Sequence, residues 1–212
     1  MKKILIILSL VLFSFVLNAQ EIIRVACVGN SITYGSGIKD RENKSYPAVL
    51  GKMLGDKWQV INFGVGGRTL LSKGDFPYIF EKKYTDALNF QPDIVIIKLG
   101  TNDTKPQNWK FKRNYISDYI KLIKSFKKLK SKPVIYICKA VPAFKLQWGI
   151  NPDIIKNEIN PAIEKIAKKT KTKIINLYTP FLNDKSLFPD FIHPDEKGAE
   201  KMAKIIYNEI KK

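Results

Sequence analysis

Ile94-Val95-Ile96-Ile97-Lys98-Leu99 is apolar at nearly every position and runs directly into Gly100-Thr101-Asn102-Asp103. A strand with one wet face alternates apolar and polar residues. One that is apolar on successive residues is buried on both faces, like the central strand of a parallel sheet covered by helices. Four further runs share this character, at 22–28, 58–63, 133–138 and 173–177. Between them lie amphipathic segments at about 45–54, at a stretch ending near Phe90, and at 114–129, 153–169 and 195–210. Pro47 is tolerated in a first helical turn, and Asp153 is placed as an N-cap. In 114–129, Tyr115, Tyr119, Leu122, Ile123 and Phe126 recur at helical spacing. Five strands alternating with helices predict an α/β fold, a three-layer α/β/α sandwich around a five-stranded parallel sheet.

The 212 residues include an N-terminal stretch of a different kind. Lys2 and Lys3 precede an apolar run from Ile4 to Leu17, then Asn18-Ala19-Gln20. This is the pattern of a cleavable secretory signal, with cleavage expected after Ala19 and an uncleaved anchor as the alternative. The run is shorter than the ~20 residues of a membrane span. We therefore expect a signal peptide at 1–19, one domain at 20–212, a secreted or periplasmic location and no stable membrane insertion.

The chain carries 37 basic and 19 acidic residues. Nearly all the basic residues are Lys, scattered along amphipathic segments, which predicts a solvated cationic surface and no nucleic-acid partner. Such a field still favours anionic substrates or surfaces. The two cysteines, Cys27 and Cys138, end apolar runs whose strands should be separated by a third. They are expected as free buried thiols.

Ligands gather at the carboxyl edge of an α/β sheet. The first strand delivers Gly29-Asn30-Ser31 there, the second Gly64-Val65-Gly66-Gly67-Arg68-Thr69, and the third Asn102. The loop before the last helix supplies Asp190 and His193, the only histidine in the chain. Each has an ordinary structural meaning: a turn serine, glycines needed for positive φ, an asparagine or aspartate fixing a turn. Together they supply what acyl transfer by serine requires. Ser31 can be activated by a base, His193, which Asp190 orients, with donors aimed at a developing oxyanion.

These blocks resemble the SGNH, or GDSL, hydrolases, named for Ser, Gly, Asn and His in four motifs. The matching stretches are Gly29-Asn30-Ser31, Asn62-Phe63-Gly64-Val65-Gly66-Gly67-Arg68-Thr69, Gly100-Thr101-Asn102-Asp103 and Asp190-Phe191-Ile192-His193-Pro194. The resemblance spans the whole chain after residue 19 and implies a flavodoxin-like architecture. It implies Ser31 as nucleophile, His193 as base and then acid, and Asp190 as orienter. The implied oxyanion hole is the backbone N–H of Ser31, the backbone N–H of Gly67 and the side-chain amide of Asn102. It implies no metal and no cofactor. Asn30 stands where the family usually has Asp. None of the four roles belongs to that position.

The longer pattern, including Thr33-Tyr34-Gly35, Ser45-Tyr46-Pro47 and Lys98-Leu99, is similar to secreted sialate O-acetylesterase-like carbohydrate esterases. The implied reaction removes acetyl from a sugar hydroxyl through an acyl-serine intermediate, with a small-molecule or glycan acetyl ester as substrate. The alternatives are a lipase or lysophospholipase, and a carbohydrate-binding protein without activity. There is no G-x-S-x-G elbow, no G-x-G-x-x-G and no P-loop. Arg68, Lys105, Trp109, Phe144 and Trp148 fall in loops that should border the catalytic edge. We expect the aromatics to stack on a sugar ring and Arg68 or Lys105 to meet a carboxylate.

Overall fold

In the computed structural model, which describes residues 22–212, the predicted signal segment lies outside the described residues. The strands are β1 (Ile23–Gly29), β2 (Trp58–Gly64), β3 (Ile94–Lys98), β4 (Val134–Lys139) and β5 (Lys173–Asn176). They form one parallel sheet in the order β2-β1-β3-β4-β5. The main helices are α1 (Ser31–Tyr34), α2 (Tyr46–Leu54), α3 (Lys82–Asn89), α4 (Tyr115–Lys127), α5 (Asn160–Thr170) and α6 (Glu196–Ile210). The three-layer α/β sandwich is as predicted, with most boundaries one or two residues from their expected places.

Alternation along the strands divides the core in two. Ala26, Val28, Val95, Ile97, Ile135 and Ile137 face Tyr119, Ile123, Phe126, Ile163 and Ile166 of α4 and α5. Val25, Cys27, Ile94, Ile96, Tyr136 and Cys138 face Tyr46 and Leu50 of α2 and Met202 and Ile206 of α6. Fully burying each such aliphatic side chain contributes roughly 1.5–3 kcal/mol, so the all-buried β3 anchors both layers. Lys98 is the exception on that strand. It is 1% exposed, and its ammonium donates to Thr101 Oγ1 at 3.1 Å. Burial pulls its pKa down to about 7.

Two local expectations are corrected. The N-cap near residue 153 is Asn151, whose side chain accepts from the N–H groups of Asp153 and Ile154. The helix beginning there is not continuous either. A π-type turn at Ile155–Ile159 precedes α5, and Pro161 follows it, lacking the N–H that a regular ladder needs. Cys27 and Cys138 are unpaired and buried, on strands separated by β3. Burial pushes both thiols up, Cys138 to about 12.

Candidate active site

Ser31 opens the one-turn helix α1 immediately beyond β1. The Asn30 side chain caps that helix by accepting the Ile32 N–H at 3.2 Å, while its own amide nitrogen is buried without a partner among the described residues. Asn30 thus acts locally, fixing the turn that presents the serine. A second asparagine secures α1 from the side. Asn62 on β2 donates to the Thr33 carbonyl at 2.8 Å and accepts the Gly64 N–H at 2.9 Å. The fit is close enough that a Cβ on Gly64 would lie 2.3 Å from the Tyr34 nitrogen. Gly64 is required by packing, and this separates its role from that of Gly67.

The three predicted catalytic side chains meet. His193 Nε2 lies 2.8 Å from Ser31 Oγ, and Nδ1 lies 2.7 Å from Asp190 Oδ2. The other Asp190 oxygen accepts the N–H groups of Ile192, at 2.9 Å, and His193, at 2.6 Å. Partial burial pushes the Asp190 pKa up, but the hydrogen bonds from His193 and Ile192 outweigh it and hold the carboxyl below its usual range. An ionised Asp190 keeps the Nδ1 proton in place, so that Nε2 can accept from a serine hydroxyl. Ser31 is 8% exposed and the His193 side chain 14%, so both are sheltered yet reachable from solvent.

Two of the predicted oxyanion donors, Asn102 and the Gly67 loop, are tied together by a separate set of bonds. Asn102 begins the 3₁₀ turn after β3 and is 4% exposed. Its amide donates one hydrogen to the Arg68 carbonyl at 3.0 Å, which leaves the second free. Gly67 adopts φ +78°, a conformation that favours glycine. The N–H groups of Ser31 and Gly67 have no protein acceptor among the described residues.

Asp103, quoted in the sequence only as part of a motif, clamps these elements together. It is fully buried, and its two oxygens accept the N–H groups of Leu70 at 3.0 Å and Leu71 at 2.7 Å. The Gly67 loop is thereby tied to the Asn102 turn. Desolvation raises the Asp103 pKa to about 6, while the backbone bonds oppose the rise. Asp118 does the same for Ser72, accepting both its N–H and its hydroxyl. Asn108 holds the Asn102 carbonyl at 3.0 Å. Sequence reasoning missed these positioning residues as individuals. A signal existed for Asp103 alone, as an acid directly following Asn102 at the end of a buried strand.

The predicted substrate contacts divide. The Trp148 ring sits 5.8 Å from the His193 ring, tilted by 40°, and Trp148 is 57% exposed. The first carbons of the Lys105 side chain adjoin Gly149, the next residue. Arg68, in contrast, is engaged by Glu81 at 2.7 Å and by the Gly66 carbonyl, which neutralises the charge expected to meet a carboxylate. The Trp109 indole donates to Glu158 at 3.1 Å and packs edge-on against Tyr115, so it is held by its own surroundings. Phe144 packs on Phe188 with ring centroids 5.0 Å apart. All three are engaged by their own surroundings. Among the described residues no cluster of three or more His, Cys, Asp or Glu side chains could hold a metal.

Comparison with known proteins follows the same lines. Over 210 residues the chain is 46% identical to an acetylxylan esterase of Xylanibacter ruminicola, covering 91% of this chain and 44% of that protein. The chain therefore spans less than half the length of that relative. Among solved structures, the acetyl xylan esterase AlAXEase superposes with a TM-score of 0.71 at 20% identity, covering 89% of this chain and all of the other. Est24, a carbohydrate acetylesterase from Sinorhizobium meliloti, gives 0.70 at 18% identity, covering 89% and 98%. At those identities the likeness concerns the fold. Residues 27–201 match the GDSL-like Lipase/Acylhydrolase family, a span that runs from within β1 into α6 and contains all four sequence blocks and the serine, histidine and aspartate that meet at the sheet edge. The chain belongs to that family.

Proposed function

We propose that this protein is a serine esterase that removes O-acetyl groups from carbohydrates. The observation that carries the reading is the unbroken relay from Ser31 Oγ through His193 to Asp190, at 2.8 and 2.7 Å. Ser31 attacks the acetyl carbonyl while His193 Nε2 takes the hydroxyl proton. The oxygen of the tetrahedral intermediate is met by the N–H groups of Ser31 and Gly67 and by the free amide hydrogen of Asn102. The intermediate collapses as Nε2 returns the proton to the departing sugar oxygen, leaving an acetyl-serine. Water then attacks that ester, giving its proton to Nε2, and acetate leaves as Ser31 regains it.

A carbohydrate acetyl ester is supported by the acetylxylan esterase relative and by the exposed Trp148 ring beside His193. Of the two partners expected for a sialic-acid carboxylate, Arg68 is paired with Glu81, which leaves Lys105 beside the Trp148 turn. An exported location fits the N-terminal segment 1–19 and predicts a mature chain beginning at Gln20.

The test is acetate release from acetylated xylan, other acetylated glycans and sialoglycans, run beside a series of aryl esters of increasing acyl length. Release from glycans together with a preference for acetyl supports the reading. Preference for long acyl chains transfers it to the lipase or lysophospholipase alternative. Binding of glycans without hydrolysis of any ester would leave only the binding-protein alternative.

A further inference from the structure

One part of the catalytic rim holds large aromatic residues in a backbone conformation they rarely adopt. Trp148 has φ +50° and Phe191 φ +67°. Bulky residues in the left-handed region are strained, and such strain gathers at ligand clamps. Trp148 sits at the tip of a turn closed by backbone bonds between Gln147 and Ile150. Phe191 lies two residues before His193, and its carbonyl accepts the Phe144 N–H at 2.9 Å. That bond joins the Trp148 segment to the histidine segment.

Two ammonium groups stand over the Phe191 ring, Lys145 Nζ at 5.6 Å and Lys185 Nζ at 5.4 Å from its centroid. Both lysines are exposed, and among the described residues neither makes an ion pair. The carboxylates close to them in sequence are already taken, Asp184 by Lys201 at 2.5 Å and Asp190 by His193. A ring holds such cations without consuming their hydrogen-bond donors. The Trp148 ring thus lies beside the catalytic histidine, and Phe191, two residues before that histidine, carries two ammonium groups with donors to spare. Arg68, with its salt bridge to Glu81, offers no equivalent.

We infer that Trp148 and Phe191 form a sugar-binding rim in which Lys145 and Lys185 take the carboxylate of an acidic sugar neighbouring the acetylated one. The inference rests on the carbohydrate acetylesterase reading and narrows its substrate to glycans bearing carboxylates. Two sources share that chemistry, uronate side groups on a plant polysaccharide and sialic acids.

The test compares the wild type with the Lys145→Gln/Lys185→Gln double variant. Substrates are acetylated glucuronoxylan, the same polymer stripped of its uronate groups, an O-acetylated sialoglycan and p-nitrophenyl acetate. Binding of an acetyl-free, uronate-bearing oligosaccharide and of a sialyl oligosaccharide is measured in parallel. We expect kcat/KM about fivefold higher on the acidic than on the neutral polymer, as two exposed charge contacts supply. The preference should disappear in the double variant and in about 0.5 M salt, where such contacts are screened, while p-nitrophenyl acetate turnover stays unchanged. Whichever acidic glycan shows the gain identifies the source. Equal rates on acidic and neutral polymers, or a preference that survives in the double variant, overturn the inference. If no polymer releases acetate but the wild type still binds an acidic oligosaccharide more tightly than the double variant, the subsite stands and the esterase reading falls.

Discussion

The two sides of the catalytic edge are built from different materials. The oxyanion side, Gly64 to Ser72 against Thr101 to Asn108, is held by buried side chains that bond backbone. Asp103 grips Leu70 and Leu71, Asp118 grips Ser72, and Asn108 grips Asn102. The rim at Phe144 to Ile150 and Lys185 to His193 has an exposed tryptophan, two strained aromatic residues and two lysines that make no ion pair among the described residues. Buried polar groups are costly to leave unmatched, so the first side tolerates little change. The second exposes Lys145, Leu146 and Trp148 above a buried base of Ile150, Phe188 and Ile192, so only its exposed side chains can be altered without removing core. The oxyanion donors Gly67 and Asn102 sit on the first side, whereas the second carries the Asp190–His193 pair next to the exposed Trp148.

Substitutions can break this division or sharpen it. Ser31→Ala and His193→Ala should each lower ester hydrolysis by about 10³-fold or more with folding intact, measured by acetate release and circular dichroism. Activity persisting in either would remove the triad from the mechanism. Asn102→Ala should cost about 3 kcal/mol of transition-state stabilisation, close to a hundredfold in kcat, with KM little changed. A loss confined to KM would place Asn102 in substrate binding.

Lys98 tests the buried side through stability. Its folded pKa of about 7 lies below its unfolded value of about 10.4. Between those values the unfolded chain binds more protons, so stability from this residue rises with pH across the window. Below pH 7 the buried lysine is charged in both states, and its desolvation penalty is fully felt. Lys98→Met should therefore gain on the wild type by a few kcal/mol near pH 6, with the gap narrowing towards pH 10 in urea titrations. A gap independent of pH would mean that the lysine finds other partners.

Asp103→Asn removes one acceptor and leaves a buried N–H unmatched. It should lower kcat about tenfold through the loosened Gly67 loop, with little change in KM. The smallest effect is expected on the rim. Trp148→Ala should raise KM for acetylated glycan severalfold and leave p-nitrophenyl acetate unaffected, which steady-state kinetics would separate.

Much of the fold was legible because β3 and its neighbours are buried on both faces, and continuous apolar runs have few other uses. The triad was legible because one histidine, three residues after an aspartate, left the base no second candidate. What stayed hidden depends on long-range pairing. Nothing near Arg68 announces that Glu81 will neutralise it. Nor does Trp109 reveal that Glu158, 49 residues later, takes its indole N–H. The break before α5 was readable in part, since Pro161 forbids a regular ladder there, but the π-type remedy depends on the packing of Ile155 and Ile159 in the core.

The two cysteines bear on how the rim can be watched. Both thiols are sealed in the sheet, and burial suppresses their reactive thiolate form, so thiol-directed reagents should pass over the native chain. A single cysteine introduced at Leu146, exposed beside the Trp148 turn, would then be the sole attachment point for a fluorophore or spin label. The turn carrying Trp148 could be followed as a glycan arrives, without first stripping the protein of its own sulfur.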